Sequence, residues 1–129
     1  MYYMSYFLRQ PLFMKNSKKL PDIPSEISEP SFTYLTNHTH VLVALNANPE
    51  LRVRDLAAAI GITERAVQRI ITDLEAVGVL QREKVGRRNS YCIQRAGRLR
   101  HQLEGHCTVG GLLDWVDKSE RQASLRKDR

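Results

Sequence analysis

The stretch from Leu56 to Leu74, Leu-Ala-Ala-Ala-Ile-Gly-Ile-Thr-Glu-Arg-Ala-Val-Gln-Arg-Ile-Ile-Thr-Asp-Leu, constrains this chain more than any other. Ala57 and Gly61 stand four apart, Val67 follows six residues later, and Ile70 three after that. Small, Gly, apolar, apolar at those offsets is what two short helices need to cross steeply through a tight turn. Ala57 permits the close approach, Gly61 supplies the backbone freedom of the turn, and Val67 and Ile70 fill the angle between the helices. The pattern predicts a helix-turn-helix, with the rest of the chain as its support.

The second of these helices is expected over residues 63–77. Thr63 is its cap, and Gly78 is the left-handed stop just past the last apolar residue. At about 100° per residue, Val67, Ile70, Ile71, Leu74 and Val77 share one face. Arg65, Gln68, Arg69 and Thr72 share the opposite one. Upstream, Thr36 or Asn37 caps a helix carrying Val41, Leu42, Val43 and Leu45. That helix must stop before Pro49, because the residue preceding a proline is pushed out of helical geometry. Leu51, Arg52 and Val53 read as an extended link, of the kind that can pair as a third strand with a wing. The first helix of the crossing pair then runs from about Arg54 to Ile60, with Leu56, Ala57 and Ile60 inward.

After Gly78 the period changes to two. Leu80, Arg82 and Lys84 alternate with Gln81, Glu83 and Val85, a turn is expected at Gly86-Arg87-Arg88-Asn89, and Ser90 to Ile93 return with Tyr91 and Ile93 on one side. Two short strands around a Gly/Asn turn make a hairpin, here a wing over residues 80–93. Between Arg82 and Arg100 there are seven basic residues (Arg82, Lys84, Arg87, Arg88, Arg95, Arg98, Arg100) against one acidic, Glu83. Leu99 and Leu103 are spaced for one helical face, and Gly105 breaks that run. Val109, Leu112, Leu113 and Val116 then form an apolar stripe with Trp115 at its flank. Residues from Asp117 on are mostly charged and expected to fray. The expected fold is mainly α with a small β-hairpin: a winged helix-turn-helix of three helices plus wing, with an extra C-terminal helix. The boundaries this implies are an N-terminal arm over 1–35, the winged domain over 36–104, an amphipathic packing or dimerisation helix over 105–118, and a charged tail over 119–129.

Composition narrows the partner. The 129 residues suit a single domain with tails, and a formal charge of +6 suits a polyanion. Cys92 and Cys107 fit no disulfide framework or Cys-x-x-Cys pattern, which favours a reducing cytoplasmic location. No transmembrane helix is visible. The apolar opening Met1–Leu8 is broken by Arg9, Gln10 and Pro11, falls short of the roughly 20 residues a span needs, and lacks a basic leader. Met14 offers an alternative start, so residues 1–13 are open as an upstream addition. Residues 15–35 hold Lys15, Lys18 and Lys19, then Pro21, Pro24 and Pro30 among Ser and Glu, and read as a surface arm.

Arginines opposite the core face of one helix are ordinary surface. Here they accompany a tight turn and a basic hairpin in the order a winged helix requires, and that conjunction points to double-stranded DNA. In the major groove, Arg65 and Arg69 suit bidentate bonds to guanine O6 and N7, and Gln68 suits adenine. Thr63, Thr72 and Lys84 are better placed for phosphates. Arg87 and Arg88 at the wing tip suit phosphates or the adjacent minor groove. Glu64 sits in the first turn as a partner of the helix dipole.

These residues carry a resemblance. From about Thr36 to Val116 the chain resembles small bacterial winged helix-turn-helix regulators of the broad MarR/ArsR kind. The match lies in Gly61–Ile70 of the recognition helix, in Gly86–Tyr91 of the wing, with Ser90 at a variable place, and in Leu99–Glu104. The resemblance implies sequence-specific DNA binding and transcriptional control, usually by a homodimer on a two-fold site. MarR-type proteins bury long terminal helices between subunits, whereas this chain offers a Pro-rich arm and one short C-terminal stripe.

Other chemistries find little purchase. His38 and His40 on a helix diverge by roughly 200°, a poor chelate. His106 and Cys107 also diverge, and His101 stands beside Leu103. A metal-sensing ArsR-like site shared across a dimer is an alternative, but no metal or cofactor is expected. There is no Gly-rich phosphate loop, Gly-x-Ser-x-Gly elbow or His-Glu-x-x-His, so no enzyme is expected. A protein-docking or RNA-binding winged helix is the remaining alternative. A docking face would expose apolar residues where Arg65, Gln68 and Arg69 stand, and no aromatic platform for RNA is evident.

Overall fold

The computed structural model describes residues 31–127. The elements in order are α1 (Asn37–Ala47), α2 (Val53–Ile60), α3 (Glu64–Ala76), β1 (Leu80–Val85), β2 (Arg88–Ile93) and α4 (Val109–Lys127). Three helices followed by an antiparallel hairpin and a further helix are a winged helix with a C-terminal extension, the expected fold class. The expected arm over 1–35 lies mostly outside the described residues.

Thr36 caps α1 in extended geometry, its hydroxyl accepting from the Thr39 N–H at 3.4 Å. Helix α1 buries Val41, Leu42 and Leu45 and ends at Ala47, with Pro49 excluding further helix. The link that follows does not become a third strand, since among the described residues the sheet holds β1 and β2 alone. The reason is Asn48. Its side-chain oxygen accepts from the Glu50 N–H at 3.1 Å and its carbonyl from the Leu51 N–H at 3.3 Å. Those donors are turned inward, and Pro49 has none. One backbone bond joins link to wing, from the Tyr91 N–H to the Pro49 carbonyl, 3.0 Å.

The turn forms as its residues require. Gly61 has φ +86°, and its N–H and that of Ile62 both donate to the Ala57 carbonyl, at 2.8 and 3.1 Å. Thr63 then caps α3, its hydroxyl accepting from the Ala66 N–H at 3.0 Å. Helix α3 buries Val67, Ile70, Ile71 and Leu74. Val77, expected on this face, is 41 % exposed. The helix has already ended at Ala76. Gly78, at φ +79°, donates to the Glu75 carbonyl and Val79 to the Leu74 carbonyl, both at 3.0 Å. This double closure swings Val77 outward and puts Val79 into the core.

In the wing, Gly86 and Arg87 form the turn and Val85 pairs with Arg88, so the turn is tighter than the expected Gly86–Asn89. Leu80 and Tyr91 bury their side chains and Ile93 packs on the core, as period-two spacing requires. The helical face expected from Leu99 and Leu103 does not form. Residues 100–106 are bends and turns. The Leu103 N–H goes to His101 Nδ1 at 3.0 Å, the Glu104 N–H to the His101 carbonyl at 3.0 Å, and the Cys107 N–H to the Glu104 carbonyl at 2.9 Å. Leu103 is left 77 % exposed.

Helix α4 opens at Thr108, whose hydroxyl accepts from the Gly111 N–H at 3.0 Å. Val109 and Leu113 are buried against the core, while Leu112 and Val116 are half-buried and Trp115 is exposed. The charged segment expected to fray is helical as far as Lys127. Here the sequence misleads because Lys118 to Lys127 holds good helix formers without an apolar stripe. No helix among the described residues is long and apolar enough to cross a membrane.

Candidate nucleic-acid interface

Helix α3 is fixed on one side by its buried stripe, so its other side is determined. Arg65, Gln68, Arg69 and Thr72 are all exposed there, and Thr63 is exposed at its cap. The contacts between basic and acidic side chains among the described residues are His38–Asp73, Arg82–Glu75 and Arg95–Asp114. Arg65, Arg69, Lys84, Arg87 and Arg88 take part in none of them.

The two threonines differ. The Thr63 oxygen accepts from Ala66, which leaves its hydrogen free for a phosphate. The Thr72 hydroxyl instead donates to the Gln68 carbonyl at 3.0 Å and would have to give up that bond to donate elsewhere. On the wing, Gly86 at φ +67° supplies the turn geometry. Arg87 sits at the tip, and Lys84 and Arg88 lie exposed on the two strands. Asn89 pairs with Lys84.

The basic run beyond the tip is not uniformly available. Arg82 holds Glu75 of α3 through two bonds of 3.1 Å and lies over the Tyr91 ring at 5.8 Å. The Glu75 hydrogen bond raises its pKa further above the ordinary arginine value. This pair clamps the wing to α3. Arg95 donates to Asn46 Oδ1 at 3.0 Å, to the Gly110 carbonyl at 3.2 Å, and to Asp114. Asn46 in turn donates to Asp117 at 3.1 Å. That network ties the end of the wing to α1 and α4. A β-carbon at Gly110 would lie 3.0 Å from that of Arg95, so the contact depends on glycine. Arg98 donates to the Gly105 carbonyl at 3.3 Å.

Sequence reasoning missed Arg52. It stands at the cap of α2 with no side-chain capping bond, and it lines one cleft together with Arg87 and Arg88 of the wing. Arg52 stands 35 residues before Arg87, and only the packing of the link against β2 unites them.

The histidines have local roles. His38 Nε2 meets Asp73 Oδ2 at 2.8 Å, joining α1 to α3. His40 Nδ1 lies 3.0 Å from Asn37 Oδ1, and burial lowers its pKa. Cys92 and Cys107 are free and exposed. Among the described residues no group of three or more His, Cys, Asp or Glu side chains is arranged to hold a metal ion.

No curated protein and no solved structure matches the chain. Residues 33–88, which carry α1, the helix-turn-helix and the wing through its turn, match the model of the MarR family, and the match supports a winged-helix regulator of that kind.

Proposed function

We propose that this protein is a sequence-specific, double-stranded-DNA-binding transcriptional regulator acting in the cytoplasm. Helix α3 lies in the major groove, with Arg65, Gln68 and Arg69 reading base edges. The wing grips the backbone or adjacent minor groove through Lys84, Arg87 and Arg88, and Thr63 and Thr72 meet phosphates at the flanks of α3. The observation that carries the reading is the exposed face of α3. Its two guanidiniums have no ion-pair partner among the described residues, on a helix whose opposite side is buried. No cofactor and no catalytic step enter this reading. Selection of bound sequences from a random duplex pool tests it. An enriched motif, usually two-fold symmetric for a dimer, is expected. Failure to enrich any sequence, alongside capture of RNA or a protein partner, would overturn it.

The DNA-binding unit proposed is residues 36–104, with α4 serving assembly. Trp115 and Leu125, 62 % and 65 % exposed on α4, make a homodimer through this helix the working arrangement. Trp115→Ala is expected to lower the sedimentation-derived mass from dimer to monomer. An unchanged mass would place the subunit contact elsewhere.

A further inference from the structure

The link from Pro49 to Val53 passes β2 without joining the sheet, and a cleft of about 400 Å3 opens between the two. Such a volume lies within the roughly 300–1,000 Å3 of small-molecule sites. Arg52 enters from the link, and Arg87 and Arg88 from the wing. Among the described residues Glu50 is the one carboxylate lining it, so the charge of that lining is net positive. Leu51, Val53 and Tyr91 add apolar surface.

The sheet edge contributes a donor. In an antiparallel ladder the backbone groups of alternate residues face the same edge. The Tyr91 N–H points to the link, toward the Pro49 carbonyl, so Asn89, two residues earlier on β2, presents its N–H to that edge as well. Among the described residues no carbonyl of the link accepts from it, and the one backbone bond across is that of Tyr91. Three arginines lining one space beside a backbone N–H offer the fittings of a phosphoryl group. Three arginines against one glutamate suit the charge of about −1.5 to −2 on a phosphomonoester at neutral pH. The cleft has apolar surface for the ester's organic part.

We propose that this cleft binds a free phosphomonoester with a small apolar or ring-shaped body. Arg87 and Arg88 are also the wing's proposed backbone contacts, so bound ester and DNA exclude one another. That second statement rests on the DNA-binding reading, whereas the site itself does not. The test is a titration of the isotope-labelled full chain with phenyl phosphate at constant ionic strength, followed by amide resonances without DNA. Saturable shifts at Leu51, Asn89 and Tyr91 are expected, and Arg52→Ala should weaken them roughly tenfold. The melting temperature should not change, because Arg52 is exposed and makes no capping bond. No saturable shift at Asn89, or shifts indifferent to Arg52→Ala, would overturn the site. Equal affinity for inorganic phosphate would overturn the organic-ester assignment. In a second arm, phenyl phosphate should displace a labelled duplex from the wild type and displace it poorly from Arg52→Ala. Binding without displacement would overturn the exclusion. A chain that takes phenyl phosphate but no duplex would keep the site and remove the DNA reading.

Discussion

The arginines of α3 and those held in and just beyond the wing carry the same charge and lie 13 to 33 residues apart, yet the fold uses them in opposite ways. Arg65 and Arg69 stand exposed on the outer face of α3, outside every ion pair among the described residues. Arg82 is held by Glu75 and the Tyr91 ring, Arg95 by Asn46, Gly110 and Asp114, and Arg98 by the Gly105 carbonyl. The run of seven basic residues between Arg82 and Arg100 therefore overstates the charge that a polyanion meets there. Three of those side chains are internal fasteners. A guanidinium already engaged with a carboxylate must break that contact to reach a phosphate, whereas one bathed in water gives up only solvent.

The sharpest way to break this contrast is to remove one arginine from each group. Arg69→Ala is expected to weaken binding to a specific duplex by roughly 1–3 kcal/mol and to relax preference at one base pair, leaving thermal stability unchanged. Affinities for specific and scrambled duplexes measure it, and equal losses on both would remove Arg69 from base reading. Arg95→Ala should do the reverse. Loss of its bonds to Asn46, the Gly110 carbonyl and Asp114 is expected to lower folding stability by about 1–2 kcal/mol, discounted because the side chain is 43 % exposed. The salt dependence of DNA binding should keep its slope. A slope shallower by one phosphate contact would show that Arg95 touches DNA and that the division between the two groups is wrong.

The contrast also shows what could be read from the chain alone. The turn at Gly61, the cap at Thr63 and the buried stripe of α3 rest on contacts close in sequence, and each follows from residue type at fixed spacing. What was misread depended on distant partners or on competition for a hydrogen bond. Asn48 took the donors a third strand needed. His101 drew the backbone around Leu103 into turns. The early closure at Gly78 rotated Val77 out and Val79 in. The Arg82–Glu75 and Arg95–Asp114 pairs join residues 7 and 19 apart, with no periodic pattern to announce them. Helix α4 had the opposite fault: its charged half looked frayed because no apolar stripe marked it.

Two smaller effects test the wing itself. Arg88→Ala should weaken all duplexes about equally and reduce the slope of log K against log salt by about 0.9, the signature of one phosphate contact. A loss confined to one sequence would move Arg88 from backbone grip to base or groove-width reading.

Arg82→Ala is expected to have the smallest effect and is the most discriminating within the wing. Arg82 lies two residues from Lys84 on β1, and a count of charge alone treats them alike. The pair with Glu75 is partly exposed, 44 % and 31 % for the two side chains, so its loss should cost less than about 1 kcal/mol of stability. Some of that cost belongs to the Tyr91 contact rather than the charge. Because Arg82 clamps the wing to α3 rather than facing outward, the salt slope should stay at the wild-type value, while Lys84→Ala makes it shallower. Glu75→Gln provides the cross-check. It removes the charge pairing while keeping the guanidinium and its Tyr91 contact, so stability should fall by less than in Arg82→Ala. If the salt slope also steepens in Glu75→Gln, the released guanidinium has reached a phosphate. The restraint on it is then the Glu75 contact itself and not its position on the strand.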